Sequence, residues 1–284
     1  MKKLLRRTFL LTIIVGASFM FWAEKPIIAD GQPSIAFTIA PGSSLKSSMQ
    51  QIDEAGVPVQ PLLMVILAQV TGNSTKLKAG TYDLKPGTTP RGLVNQLVRG
   101  EFAQEALTVI EGWSFKQMRQ AINAHPSLKH DTAAWSDQEL MAKLSSDYTK
   151  PEGLFAPDTY LFAKNSSDLQ IYKQSHNLML KRLNEAWLAR DPRSPYASPY
   201  EALIMASIVE KETGKKSERT MIAGVFVNRL RQGMLLQTDP TVIYGMGDNY
   251  KGNIRKRDLL TDRPHNTYTR LCLPATPIAL PGME

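Results

Sequence analysis

The amino-acid sequence predicts an α+β protein in three parts: an N-terminal transmembrane helix, a small α/β module and a larger mixed α+β domain. Three observations lead there. An uncharged run follows four basic residues at the N-terminus. Within residues 34–102, two β-type alternations enclose two helical stretches, and from residue 106 long amphipathic patterns mix with short apolar runs and turn-rich loops. At 284 residues and 43% apolar content, the chain is large enough for one big core or two ordinary ones.

In order along the chain, Lys2, Lys3, Arg6 and Arg7 precede the uncharged run Thr8–Ala23, which closes on Trp22 and then Glu24-Lys25-Pro26. Sixteen helical residues cover roughly 24 Å, short of a hydrocarbon core of about 30 Å. Flanking cations can snorkel and Trp22 can sit at the interface, which extends the span. A cleaved signal peptide is the competing reading, but Phe21-Trp22-Ala23 is a poor cleavage site and Ile27-Ile28-Ala29 only slightly better. The preferred reading is an uncleaved anchor over residues 1–25, its basic flank inside and everything after Pro26 exported.

Without the four flanking cations, the net charge of +8 falls to +4. That mild bias suits an anionic surface or polymer, and nucleic acid is not an expected partner. The single cysteine, Cys272, excludes an intrachain disulfide. His125, His130, His176 and His265 are scattered without ligand spacing, so a His-based metal site is not expected.

The module over 34–102 opens with the alternating strand Ile35–Ile39 and a Pro41-Gly42 turn. Ser43 or Ser44 caps a helix through Ile52, Pro61–Val70 forms a second helix, and Leu77–Leu84 returns as a strand. Thr88-Thr89-Pro90 starts a helix through Val98, closed by Gly100. Strand–helix–helix–strand in this order resembles the LysM-like module, which implies binding of N-acetylglucosamine-containing glycans. The alternative is a small module that only positions its neighbour.

Over 106–284, Leu107–Ile110 reads as a strand and Glu111-Gly112-Trp113-Ser114 enters a helix. A helical pattern covers Trp135–Leu144, and a loop dense in turn formers and aromatics covers Pro151–Tyr160. Such loops shape sugar subsites, although a ring such as Phe155 equally serves to bury the loop. A long amphipathic helix spans Leu169–Ala189. Ser198, Pro199 and Glu201 open the next helix as a capping box, with a stop expected at Gly214. Ser217 then caps a helix through Leu230, ended by Gly233.

With Ile204 at zero and each residue about 100° on from the last, Ile208, Met205 and Val209 fall between about 40° and 140°. Glu212 falls near about 80°, inside that apolar stripe, and Glu210 near about −120°. A carboxylate on an apolar face is costly unless paired, neutralised or at work. Two readings follow for Glu212: a helix-end acid that bends to solvent or meets Arg219, and a general acid kept protonated by desolvation.

The motifs decide between them. A-S-I-V-E-K-E-T at 206–213, V-F-V-N-R-L at 225–230, L-Q-T-D-P-T-V-I-Y-G at 236–245, N-T-Y-T at 266–269 and T-P-I-A-L-P-G at 276–282 follow one another in sequence. E-G-W-S at 111–114 and G-L-F-A-P-D-T-Y at 153–160 precede them. In this order they resemble the YceG/MltG family of membrane-anchored endolytic murein transglycosylases, over nearly the whole chain. The resemblance implies cleavage between N-acetylmuramic acid and N-acetylglucosamine inside peptidoglycan strands, leaving 1,6-anhydro ends. It identifies Glu212 as general acid and then base, with no metal or cofactor. It also implies a single pass through a bacterial inner membrane with the main body periplasmic, and penicillin-binding proteins of the wall-synthesis machinery as partners. By position in the motifs, Gln237, Asp239, Tyr244, Asn266 and Tyr268 are the expected substrate-binding residues. Glu210 is expected to serve structure, paired with Lys211 or Arg219.

Two departures stand out. The chain ends at Pro281-Gly282-Met283-Glu284, where the family pattern continues, so the resemblance implies a C-terminally truncated catalytic domain with an unpaired sheet edge and exposed core. Cys272 stands where that pattern has glycine, which costs about 1 kcal/mol if φ there is positive. An inactive, membrane-tethered peptidoglycan-binding or scaffolding protein is the alternative function.

Overall fold

The computed structural model describes residues 2–283. Met1 and Glu284, which bound the expected anchor and catalytic segments, lie outside them, as do the side chains of Lys2 and Lys3. The architecture is mixed α+β and falls into two compact units, Met1–Glu105 with Ala163–Asn165, and Ala106–Phe162 with Ser166–Glu284.

The first unit opens with α1 (Lys2–Glu24). Its Arg6–Glu24 stretch of 19 residues, with mean hydropathy 1.3, is long and apolar enough to cross a membrane. Phe9, Leu11, Val15 and Phe21 are exposed along it, whereas Ala23 at its far end is buried in the core of the unit. There Arg91 pairs with Glu24 at 2.5 Å.

Strand β1 (Ile35–Ile39) leads through α2 (Leu45–Glu54) and α3 (Pro61–Val70) to β2 (Gly80–Leu84), and α4 (Pro90–Arg99) follows. Strands β1 and β2 pair antiparallel, Ile35 opposite Leu84 and Ile39 opposite Gly80. The local chemistry is as the sequence predicts: Ser44 and Thr89 cap α2 and α4 through their side chains, Pro61 and Pro90 take first helical positions, and Gly100 closes α4 at φ +73°. Phe37, Met49, Ile52, Met64, Tyr82 and Leu97 are fully buried between the strand pair and the helices. The second strand is shorter than expected, because Leu77–Ala79 pair with no strand among the described residues.

Apart from the strand-end residues Gln104, Glu105 and Ala163, the second unit contains β3 (Gln104–Val109), α5 (Phe115–Ala124), β4 (Leu128–Lys129), α6 (Asp137–Lys143), β5 (Asp158–Ala163), β6 (Ser166–Ser167) and the long α7 (Leu169–Leu188). It continues through α8 (Pro199–Glu212), α9 (Lys216–Arg231), α10 (Asp239–Met246) and α11 (Lys256–Leu260). Strand β3 pairs with β5, and β4 pairs with β6 in parallel. Full capping boxes start α5 at Ser114 and α6 at Ser136. Phe115, Met118, Phe155, Ile171 and Tyr172 share one core, and a second surrounds Ile204, Ile208, Phe226, Leu236 and Ile278.

Three local expectations are corrected. Glu201 reaches past the cap to the Ala197 amide (2.7 Å), so only the Ser198 half of the capping box forms. Helix α8 ends at Thr213 in extended backbone rather than at Gly214. Ser217 lies inside α9, whose cap is Lys215.

The last motif is packed into the second unit. Residues 276–281 are buried, and they are laced in by backbone: Gly112 donates to Leu280 (2.9 Å) and Leu280 to Trp113 (2.7 Å). The Ile278 amide donates to Ser207 Oγ on α8 (3.0 Å). Gly153 fits beneath this segment at φ +81°, where any side chain would strain the backbone and collide with Pro277.

Candidate active site

Helix α8 brings two acids to its last turn and gives them opposite surroundings. The Glu210 side chain is buried and pairs with buried Arg219 of α9 at 3.0 Å, while its second oxygen accepts from the Gly282 amide at 3.0 Å. Of the two partners expected for Glu210, Arg219 is the one observed; Lys211 instead donates to the Gly112 carbonyl.

Glu212 is solvent-exposed, which corrects the expectation of a carboxylate desolvated on an apolar stripe. The stripe is real as far as Ile208 and Val209, which are buried. The helix then runs one turn beyond that core, so the angular position of Glu212 no longer faces packed side chains. What holds this carboxylate is a hydroxyl. Thr238, itself buried, donates to Glu212 Oε1. Oε2 makes no hydrogen bond among the described residues.

Thr238 is fixed in turn by a threonine cluster. Its amide donates to Thr267 Oγ1 (3.0 Å), its carbonyl accepts from Thr241 Oγ1 (2.7 Å), and Thr241 and Thr267 share a hydrogen bond of 2.9 Å. Gln237 takes a left-handed φ of +51° immediately before α10, and its amide donates to the Thr267 carbonyl (3.1 Å). That turn places Gln237 outward and Thr238 inward, at a conformational cost for a residue with a Cβ.

Asp239, exposed at the start of α10, accepts from Tyr268 Oη at 2.5 Å. Burial, then the Asp239 hydrogen bond and the charges of Asp239 and Glu212, push the Tyr268 phenol up to about 12. Glu212, Gln237, Asp239 and Tyr268 are thereby brought to one neighbourhood through the Thr238–Thr267 cluster.

The other two expected residues lie elsewhere. Asn266 is buried and does not line a groove: its amide donates to the carbonyls of Leu259 (3.0 Å) and Thr261 (2.7 Å), and its oxygen accepts from the Tyr268 amide (2.9 Å). It clamps the segment that carries Tyr268. Tyr244 sits farther along α10 and donates to Glu152 Oε2 at 3.1 Å, with its ring edge-on to His265.

Glu152 was not among the expected site residues. It is buried, and its other oxygen accepts from the Phe115 amide at the start of α5 (2.9 Å). Burial outweighs these hydrogen bonds and raises its carboxyl from 4.5 to about 7. The sequence signal was only an acid at the start of the turn-rich loop, next to Pro151 and Gly153. Beside it opens a cleft of about 530 Å³ whose walls include Lys116, Gln120, Asn123, Lys150, Glu152 and Tyr244. Among the described residues, no group of three or more His, Cys, Asp or Glu is placed to hold a metal ion.

With this geometry in view, the comparisons with known proteins can be placed. The YceG-like family matches over residues 37–284. A Bacillus subtilis (strain 168) protein named endolytic murein transglycosylase is 28% identical over 293 residues, covering 96% of this chain and 80% of its own length. A Streptococcus pneumoniae (strain D39) protein of the same name is 25% identical over 301 residues, and the match takes in 95% of this chain but 54% of that longer relative. The crystal structure of a yceG-like protein from Listeria monocytogenes superposes with a TM-score of 0.53 at 30% identity, over 88% of this chain and 87% of that one.

Proposed function

The chain belongs to the YceG-like family, and from that membership we propose that it is an endolytic murein transglycosylase whose proton-transfer group is Glu212. The observation that carries this reading is the single exposed carboxylate at the end of α8, held through one oxygen by buried Thr238 and flanked by Tyr268 and Asp239.

The chemistry needs one acid in two roles. Protonated Glu212 donates to the glycosidic oxygen between muramic acid C1 and the next N-acetylglucosamine as that bond breaks. The resulting carboxylate takes the proton of the muramic acid's own 6-hydroxyl, whose oxygen closes on C1 as a 1,6-anhydro ring. Glu212 ends as it began, and no water is consumed. Because the substrate supplies the nucleophile, the paired carboxylates of most glycosidases are not required. Thr238 fixes Oε1, which leaves Oε2 as the oxygen that exchanges the proton. Exposed Gln237 and the Asp239–Tyr268 pair are the proposed sugar contacts.

Helix α1 would anchor the chain once in a bacterial inner membrane with the body outside. The module over residues 34–102 is proposed as a LysM-like glycan holder, supported by a hollow of about 700 Å³ around α4 whose walls include Asp83, Lys85, Thr89, Gln96, Glu101 and Phe102. Enzymes of wall synthesis, including penicillin-binding proteins, are the proposed working partners.

The test is mass spectrometry of soluble fragments released from isolated peptidoglycan by the full chain in detergent, beside Glu212→Gln. Fragments ending in anhydromuramic acid, absent from the variant, are the expected result. Fragments one water heavier would make the protein a hydrolase. Sedimentation with the glycan and no fragments would make it a binder, the reading that the hollow in the first unit favours.

A further inference from the structure

The cleft beside Glu152 is built from elements other than the end of α8. It lies farther along α10: Tyr244 is five residues beyond Asp239, about 7.5 Å along the helix and roughly 140° around it. The cleft thus opens to the side of the Glu212 neighbourhood rather than in line with it. Its volume of about 530 Å³ is within the range of ligand sites, about 300–1,000 Å³.

Its chemistry does not suit a sugar. Sugar subsites use open aromatic faces, but here Phe115 is buried and Tyr244 is held edge-on by His265. What the cleft offers is spare hydrogen bonding. Lys116, Gln120 and Asn123 repeat at helical spacing along the exposed face of α5, and the two amides make no hydrogen bonds among the described residues. Arg119 in the wall is already committed to Asp137 and the Thr132 carbonyl, and Lys116 to Asp248. Exposed Lys150 forms no hydrogen bond or ion pair among the described residues. Buried Glu152 closes the floor, with acceptor capacity beyond its bonds to Phe115 and Tyr244.

A cation at the rim, spare amides along one wall and a carboxyl at the floor complement the alternating N–H, C=O and carboxylate groups of a short peptide. In murein, the peptide stem is the part that leaves the glycan axis sideways from muramic acid. Resting on the transglycosylase reading above, we propose that this cleft is the subsite for the peptide stem, with Lys150 pairing with a stem carboxylate and Glu152 accepting from a stem N–H. The subsite gives the protein a preference for peptide-bearing strands over naked glycan.

Two measurements on the full chain in detergent test it. By calorimetry, a disaccharide pentapeptide binds at least about tenfold tighter than the same disaccharide without peptide, the scale of one or two hydrogen bonds to charged groups. Lys150→Met and Glu152→Gln each remove most of that difference. Lys150 is exposed, so its variant separates lost recognition from a damaged fold. Equal binding of the two ligands by the wild type, or an unchanged preference in Lys150→Met, overturns the subsite. The second measurement is the ratio of KM values for naked and peptide-bearing strands, which is expected to fall towards one in both variants. Glu212-dependent cleavage with no such ratio removes the stem subsite and leaves the reaction standing. A peptide preference in binding without any cleavage supports the subsite and removes the reaction.

Discussion

Glu210 and Glu212, two residues apart at the end of one helix, have opposite fates: the first is sealed in a pair with Arg219, and the second projects into solvent under the hydroxyl of Thr238. About half a turn of helix separates a carboxylate that holds elements together from one that faces solvent.

The two acids therefore separate under mutation. Glu210→Ala leaves Arg219 buried without that carboxylate and unties the Gly282 amide, so stability falls by about 3–5 kcal/mol. Glu212→Gln changes stability by less than about 0.5 kcal/mol, because it alters an exposed side chain. Urea unfolding of both variants checks the contrast, and comparable losses would contradict it.

Thr238→Val keeps the shape of the side chain and removes the hydroxyl that fixes Glu212 Oε1. Cleavage is expected to lose about tenfold or more in kcat with KM little changed, the scale of one hydrogen bond to a charged group. Thr238→Ser restores most of it. A loss confined to KM would place Thr238 in binding instead.

Stability should also depend on pH through Glu152. Its carboxyl is raised from 4.5 to about 7 by burial, so between those values the folded protein holds a proton that the unfolded chain has released. This contribution is complete below about pH 4.5 and is lost as pH rises through about 7, roughly 3 kcal/mol in all. Comparing the wild type with Glu152→Gln isolates it. The difference in unfolding free energy shifts in favour of the variant by that amount between pH 4.5 and 8, and a pH-independent difference would refute the shift.

Cys272 has φ +72° in an exposed position. Cys272→Gly relieves a left-handed backbone at a small cost in unfolded-chain entropy and is expected to stabilise by up to about 1 kcal/mol. Thermal melting reads it as a rise of a few degrees; a fall would mean the thiol packs favourably.

Much of the helical framework was legible because its signals are local. Pro61–Val70 forms over the predicted residues, and Ser44, Thr89, Ser114 and Gly100 do the capping their chemistry suggests. Glu212 shows where locality stops: a helical wheel gives an angle, but whether anything packs at that angle depends on where the tertiary core ends. Glu152 fails in the other direction. Nothing near it in the chain announces burial, because Phe115 and Tyr244, the groups that bind it, are brought by distant segments. Ser217 lost the cap to Lys215 because the preceding loop, tied by Thr213 to Lys215 and Glu218, starts the helix early.

The lacing of residues 276–282 onto Gly112, Trp113, Ser207 and Glu210 has a kinetic side. These contacts close a very long loop, and contacts of that kind form late because the chain must first give up its loop entropy. Helix α8 can coil early, yet Glu210 and Ser207 gain these partners only when residues 278–282 are in place. On the transglycosylase reading, the cutting glutamate is mounted on a support finished near the end of folding. On that same reading the acid stands on an incomplete support until residues 276–282 have docked, and cutting begins only after they do.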